Sequence, residues 1–77
     1  MEKILIEKKG SNYYKALKLK YESQIQEALA ILQTYFNDTV GIGEHSDILN
    51  EHDVWIDKLA SANDKLKTLE EYFALKY

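Results

Sequence analysis

Apolar residues recur along this chain at the spacing expected of helices that bury one face. In the second half, two mostly apolar series each repeat every seven residues and are offset from each other by four. The two series are Ile48, Trp55, Ala62, Leu69 and His52, Leu59, Leu66, Phe73. Because the pattern is sustained for nearly four repeats, it predicts a helix from about residue 47 to about residue 75 whose seam packs on a neighbouring helix at a shallow angle.

The first half carries a broader apolar stripe at the same spacing. One series repeats every seven residues, and further apolar residues lie beside it at helical spacing. These residues are Tyr14, Tyr21, Ala28, Tyr35 and Leu17, Ile25, Leu29, Leu32, Phe36. The stripe predicts a helix from about residue 12 to about residue 37, with Ser11 as its N-cap.

Two glycines interrupt the helical pattern between these segments. Gly41 and Gly43 enter left-handed backbone conformations without the steric cost that other residues bear, so residues 38–46 are predicted to form a turn. Ser46 or Asp47 then caps the second helix. The short connection predicts antiparallel helices. The Gly-x-Gly pair lacks the preceding strand, third glycine and lysine of phosphate-binding loops, which argues against a phosphate site in this turn.

Residues 1–10 form an arm before the first helix, and the sequence leaves its conformation open. Ile4, Leu5 and Ile6 stand between charged residues, and Gly10 separates them from the helix. Their composition suits a short strand, which is stable only with a partner. The alternatives are packing of the arm on its own helices, pairing of two arms across a dimer, and an extra helical turn that leads into helix 1.

These elements predict an all-α fold, with residues 1–77 forming a single antiparallel two-helix hairpin. The apolar stripes are wider than one neighbouring helix covers, and an exposed remainder would mark an interaction site. We therefore expect a homodimer that forms a four-helix bundle. The residues expected to support self-association are Ile25, Leu29, Leu32, Phe36, Trp55, Ile56, Leu59, Leu66, Leu69 and Phe73.

The composition limits which kinds of additional stabilisation are available to so small a domain. The chain has 77 residues and no cysteine, so neither disulfides nor thiolate metal sites support its core. Association with a second subunit is the remaining source of added stability. No apolar run approaches the roughly 20 residues that span a bilayer, and the beginning lacks the apolar segment of a signal peptide. We expect a cytoplasmic protein with no membrane contact.

Catalytic and metal-binding chemistry finds little support in the sequence. His45 and His52 lie seven residues apart, about 10 Å along a helix, which is too far to share one metal ion. Paired carboxylates such as Glu70 and Glu71 lack an apolar pocket that would tune them for acid–base work. We therefore predict no enzyme activity, no cofactor, and no catalytic or metal-binding residue.

Charge is distributed unevenly along a chain whose net charge is −3. Residues 1–20 contain six lysines against two glutamates, and the antiparallel hairpin brings them near Glu70 and Glu71. Tyrosine rings beside lysine amines suit the binding of nucleotides or single-stranded nucleic acid. We call one such cluster at the start of helix 1 the candidate ligand face. That cluster is Tyr14, Lys15, Lys18 and Tyr21. The simpler interpretation places both tyrosines in the core stripe, and the acidic net charge also disfavours nucleic acid.

The turn and the helix after it resemble a known kind of protein. Val40 to Ile48, followed by the helix that ends in Leu69-Glu70-Glu71-Tyr72-Phe73, is similar to small helical-hairpin proteins of tailed bacteriophages. The resemblance covers roughly residues 28 to 73. It implies a phage protein that binds and redirects a host protein, inhibits a defence system, or serves as a minor virion part. With the residue patterns, it favours a non-enzymatic interaction or regulatory module, with a nucleotide or nucleic-acid binder and a structural virion or scaffold component as alternatives.

Overall fold

The computed structural model describes residues 2–37 and 47–76, which form two long helices and two short strands. The elements in chain order are strand β1 (Ile4–Ile6), a 3₁₀ turn (Lys8–Gly10), helix α1 (Ser11–Asn37), helix α2 (Ile48–Tyr72) and strand β2 (Phe73–Leu75). The protein is therefore mostly helical, with β1 before the start of α1 and β2 after the end of α2. The predicted turn at residues 38–46, with Gly41 and Gly43, lies outside the described residues.

Helices α1 and α2 pack against each other along their length, which confirms the predicted hairpin. Their direction follows from side-chain pairs at both ends. Lys18 near the start of α1 meets Glu70 near the end of α2, while the ring of Phe36 lies 4.6 Å from that of His52. The helices are therefore antiparallel.

The predicted seam of α2 faces α1. Every position of the two seven-residue series is half-buried or buried, from Ile48 to Phe73. On α1 the matching inner positions include Ala28 and Leu32, which are buried, and Tyr14, Tyr21, Ile25 and Tyr35, which are half-buried. Small side chains at Ala28 and Ala62 let the two backbones approach closely near the middle of the hairpin.

The start of α1 differs from the prediction. Ser11 was expected to cap the helix, but its backbone is already helical and its hydroxyl donates a hydrogen bond of 2.9 Å to the Lys8 carbonyl. The 3₁₀ turn runs directly into α1, so Ser11 no longer occupies the capping position. Asp47 does occupy the N-cap position of α2, although its side chain makes no capping hydrogen bond.

The arm and the end of the second helical segment form a parallel two-stranded sheet. Ile4 pairs with Phe73, Leu5 with Ala74, and Ile6 with Leu75. The prediction that the second helix runs to residue 75 is therefore wrong, because α2 ends at Tyr72 and the chain becomes extended at Phe73. The arm therefore pairs with a strand of its own chain. Parallel strands need a long crossover connection, and here the whole hairpin supplies it.

The molecule is long and thin, with principal extents of 53 × 22 × 15 Å. Across residues 2–37 and 47–76, no helix combines the length and the apolar character that would let it cross a membrane.

Candidate functional site

One side of the hairpin leaves large apolar side chains in solvent. Leu29 and Phe36 on α1 are 44% and 64% exposed, and Leu49 and Ile56 on α2 are 79% and 46% exposed. Each follows by one residue an inner position of its helix. In an antiparallel pair, positions one residue beyond the seam on both helices lie on the same side. We call Leu29, Phe36, Leu49 and Ile56 the apolar flank.

Near the end of α1 and the start of α2, this flank contains a shallow depression of about 420 Å³. Phe36 of α1 forms one wall, and Leu49 and Ile56 of α2 form the other. Ile48, His52 and Asp53 complete the lining, so that Asp53 is its only acidic residue. The shared depression shows that residues from both helices form one surface.

His52 supports the wall formed by Phe36. Its Nδ1 lies 2.8 Å from the carbonyl oxygen of Ile48, and since a carbonyl can only accept, Nδ1 carries the proton and donates. The imidazole also lies against two rings, with centroids 4.6 Å from Phe36 and 5.5 Å from Tyr35. These contacts agree with the predicted position of His52 at the seam. Within the described residues, no three histidine or acidic side chains lie close enough together to hold a metal ion.

The opposite side of the hairpin is polar around Trp55. There Lys58 places its Nζ 4.2 Å from the centroid of the half-buried Trp55 ring, which it covers. A depression on this side is lined mainly by charged and polar residues, among them Gln24, Asp57 and Lys65. Along this stretch the hairpin therefore has an apolar side and a polar side, whereas Leu17 and Tyr72, nearer the strands, are exposed on the polar side.

The structure divides the residues that the sequence assigned to self-association. Leu32 is buried, and six others are half-buried on the inner face of the hairpin: Ile25, Trp55, Leu59, Leu66, Leu69 and Phe73. Leu29, Phe36 and Ile56 are exposed on the apolar flank. Leu49 was missed, although it precedes Ile56 by seven residues and this spacing was a signal that the two share a face.

The residues of the candidate ligand face also lie in different environments. Tyr14 and Tyr21 are half-buried, which favours their interpretation as part of the core stripe. The Nζ of Lys18 lies 3.8 Å from an oxygen of Glu70, so one lysine of the basic start of α1 is near the acidic end of α2, as the antiparallel hairpin predicts. Lys15 is exposed and lines another depression, where the strands meet the start of α1.

Comparisons with protein-family models, with curated proteins and with solved structures find no match to this chain. The resemblance to phage hairpin proteins therefore stays a prediction.

Proposed function

We propose that this protein is a non-enzymatic interaction module that acts as a homodimer. In this proposal, the apolar flank of one hairpin packs on the same flank of a second copy, and the four helices form a bundle. The observation that carries the proposal is the exposure of Leu29, Phe36, Leu49 and Ile56 on one side of the molecule.

The sparse core of the hairpin supports association. Among the described residues, the buried apolar side chains are Ala28, Leu32 and Ala62, and no large side chain is fully buried. A domain of this size seldom gains more than about 3–5 kcal/mol from a single core without further support. Covering the apolar flank would add buried apolar area to this sparse core.

A second copy is the partner that the shape and chemistry of the flank favour. The flank extends over both helices, so a twofold axis across it places identical apolar surfaces against each other. Asp53 is the one acidic residue lining its depression, and at the edge of a dimer it would remain in water. The polar side, with Lys58 and Lys65, then faces outward and is free to bind another protein, such as the host protein that the phage resemblance implies.

A matched pair of substitutions on α2 tests the dimer. Ile56→Glu places a charge on the apolar flank, whereas Val54→Glu adds the same charge two residues away, on the other side of the helix. The two side chains are similarly exposed, at 46% and 37%. We expect Ile56→Glu to be a helical monomer and Val54→Glu to remain a dimer, measured by light scattering after size exclusion over a range of concentrations, with circular dichroism as the check on folding.

A wild-type protein that stays monomeric at every concentration would contradict the proposed dimer. Loss of association in both variants would show that added negative charge, and not the apolar flank, decides the oligomeric state.

A further inference from the structure

A cleft lies at the end of the hairpin where the strands meet the start of α1. Its volume is about 560 Å³. The six residues that line it are Ile6, Lys8, Ser11, Lys15, Leu75 and Lys76. Three of the six are lysines and none is acidic. We call this the open-end cleft. It is separate from the apolar flank, with which it shares no residue.

The fold places this cleft at a junction that favours anions. Ile6 and Leu75 are the last residues of the two parallel strands, and the 3₁₀ turn and α1 begin directly after β1. Gly10 lets the turn lie close against the sheet, since a Cβ at this position would come within 3.2 Å of Ile6 Cγ2. The 3₁₀ turn contributes Lys8 to the lining, and neither this turn nor the first turn of α1 contains an acidic residue.

The three lysines differ in their pairing. The Nζ of Lys76 lies 3.4 Å from an oxygen of Glu7, which stands outside the lining. Among residues 2–37 and 47–76, no carboxylate lies within 4 Å of the amines of Lys8 or Lys15. The Ser11 hydroxyl already donates to the Lys8 carbonyl, so the lysines are the donors that remain for a ligand. The cleft therefore has a positive rim over the aliphatic side chains of Ile6 and Leu75.

We propose that the open-end cleft binds a small organic phosphate. Lysine binds phosphate as a compact positive charge, and two or three amines match the charge of a phosphate dianion. Ile6 and Leu75 offer an apolar surface on which the organic part of the ligand packs. The cleft volume lies within the range of about 300–1,000 Å³ that is typical of small-molecule sites.

Phenyl phosphate is a suitable probe, because it joins the two features that the cleft recognises. In a titration followed by ¹H–¹⁵N NMR of the full chain, we expect saturable shifts centred on Ile6, Ser11 and Leu75. Inorganic phosphate, which lacks the ring, should bind several-fold more weakly, and phenol, which lacks the charge, should not bind measurably.

Two lysines on α1 give a matched comparison. Lys15→Gln removes a charge that lines the cleft, while Lys20→Gln removes one from an exposed position outside it. We expect Lys15→Gln to weaken phenyl phosphate binding by about two- to fivefold, as befits a solvent-exposed ion pair, and Lys20→Gln to leave it nearly unchanged.

Glu7→Gln should have the opposite effect. Glu7 competes with the ligand for Lys76, so its neutralisation frees that amine, and we expect phenyl phosphate to bind about two- to fivefold more tightly. A general loss of structure cannot produce a gain in affinity. Glu22→Gln, at an exposed position on α1, is the control for the change in net charge.

Three results would overturn the proposal. The first is that shifts spread over all exposed lysines without saturation. The second is that Lys20→Gln weakens binding as much as Lys15→Gln does. The third is that inorganic phosphate binds as tightly as phenyl phosphate, since the aliphatic floor would then have no role.

Discussion

At the scale of single residues, small side chains set how closely the two helices approach. Ala28 is 0% exposed and Ala62 is 2% exposed, while the larger residues of the seam other than Leu32 remain half-buried around them. An alanine in such a place leaves no room for extra methyl groups, because tightly packed side chains do not shift without strain.

Enlarging Ala28 should therefore destabilise the hairpin. We expect Ala28→Leu to lower the free energy of unfolding by about 1–3 kcal/mol, since the larger side chain forces the helices apart. Ala30→Leu, at an exposed position two residues away on the same helix, is the control and should change it by less than about 0.5 kcal/mol. Urea denaturation of both variants, each at the same protein concentration, measures the difference. Equal stability of the two variants would mean that Ala28 does not limit the helix spacing.

The sequence predicted which residues of α2 face α1, but not which residues of the wider α1 stripe face α2. Helical spacing gave Leu29 and Leu32 equal standing, although Leu32 is buried and Leu29 is 44% exposed. A stripe wider than one helix can cover does not show which of its edges meets the neighbour. Lys18 illustrates the same point, since it holds an inner position of α1 although its side chain is 42% exposed and reaches Glu70.

At the scale of elements, the strands are the part of the fold that the sequence could not settle. Phe73 continues the seven-residue series of α2, and Ala74 and Leu75 form helices readily, so local pattern and propensity both extended the helix to residue 75. Their actual partner, Ile4–Ile6, lies at the other end of the chain. Pairing between segments so distant in sequence leaves no periodic signal, and tertiary contacts overrode the local preference.

A designed disulfide tests the strand register. Leu5 and Ala74 are directly paired, so Leu5→Cys with Ala74→Cys should bring two sulfurs within bonding reach. The chain has no other cysteine, and the bridge would close a loop of nearly the whole chain. We expect a bond within one chain and a stabilisation of roughly 4 kcal/mol if the loop-entropy account holds. Non-reducing electrophoresis and intact mass show whether the bond forms.

The matched control for this bridge is Ile4→Cys with Leu75→Cys, which is out of register by two residues and should oxidise slowly. A disulfide that joins two chains in the Leu5 and Ala74 variant would instead mean that the arms exchange between subunits.

At the scale of the whole molecule, the hairpin is far from compact. Its Cα radius of gyration is 16.9 Å, whereas a compact domain of this length would have about 11–12 Å. A rod of this kind has much surface and little interior, so the proposed association would also stabilise it. Side-by-side pairing thickens the rod and gives it an interior, while end-to-end pairing would not.

Small-angle X-ray scattering distinguishes these two modes of pairing. For a dimer joined through the apolar flank with its twofold axis along the rods and layers about 10 Å apart, we expect the radius of gyration to rise only to about 18 Å and the longest dimension to stay near that of one hairpin. End-to-end pairing would give about 31 Å on the same geometry. The end-to-end value would show that the apolar flank is not the dimer contact.

The parallel sheet also determines how the molecule resists force. Because β1 and β2 run in the same direction, the chain enters β1 at one end of the strand pair and leaves β2 at the other. A pull on the chain outside the two strands therefore slides them past each other and loads the hydrogen bonds between them together, instead of opening them one at a time. The hairpin between the strands carries no tension until that sheet breaks, so three residues on each side act as a mechanical clasp for the two long helices.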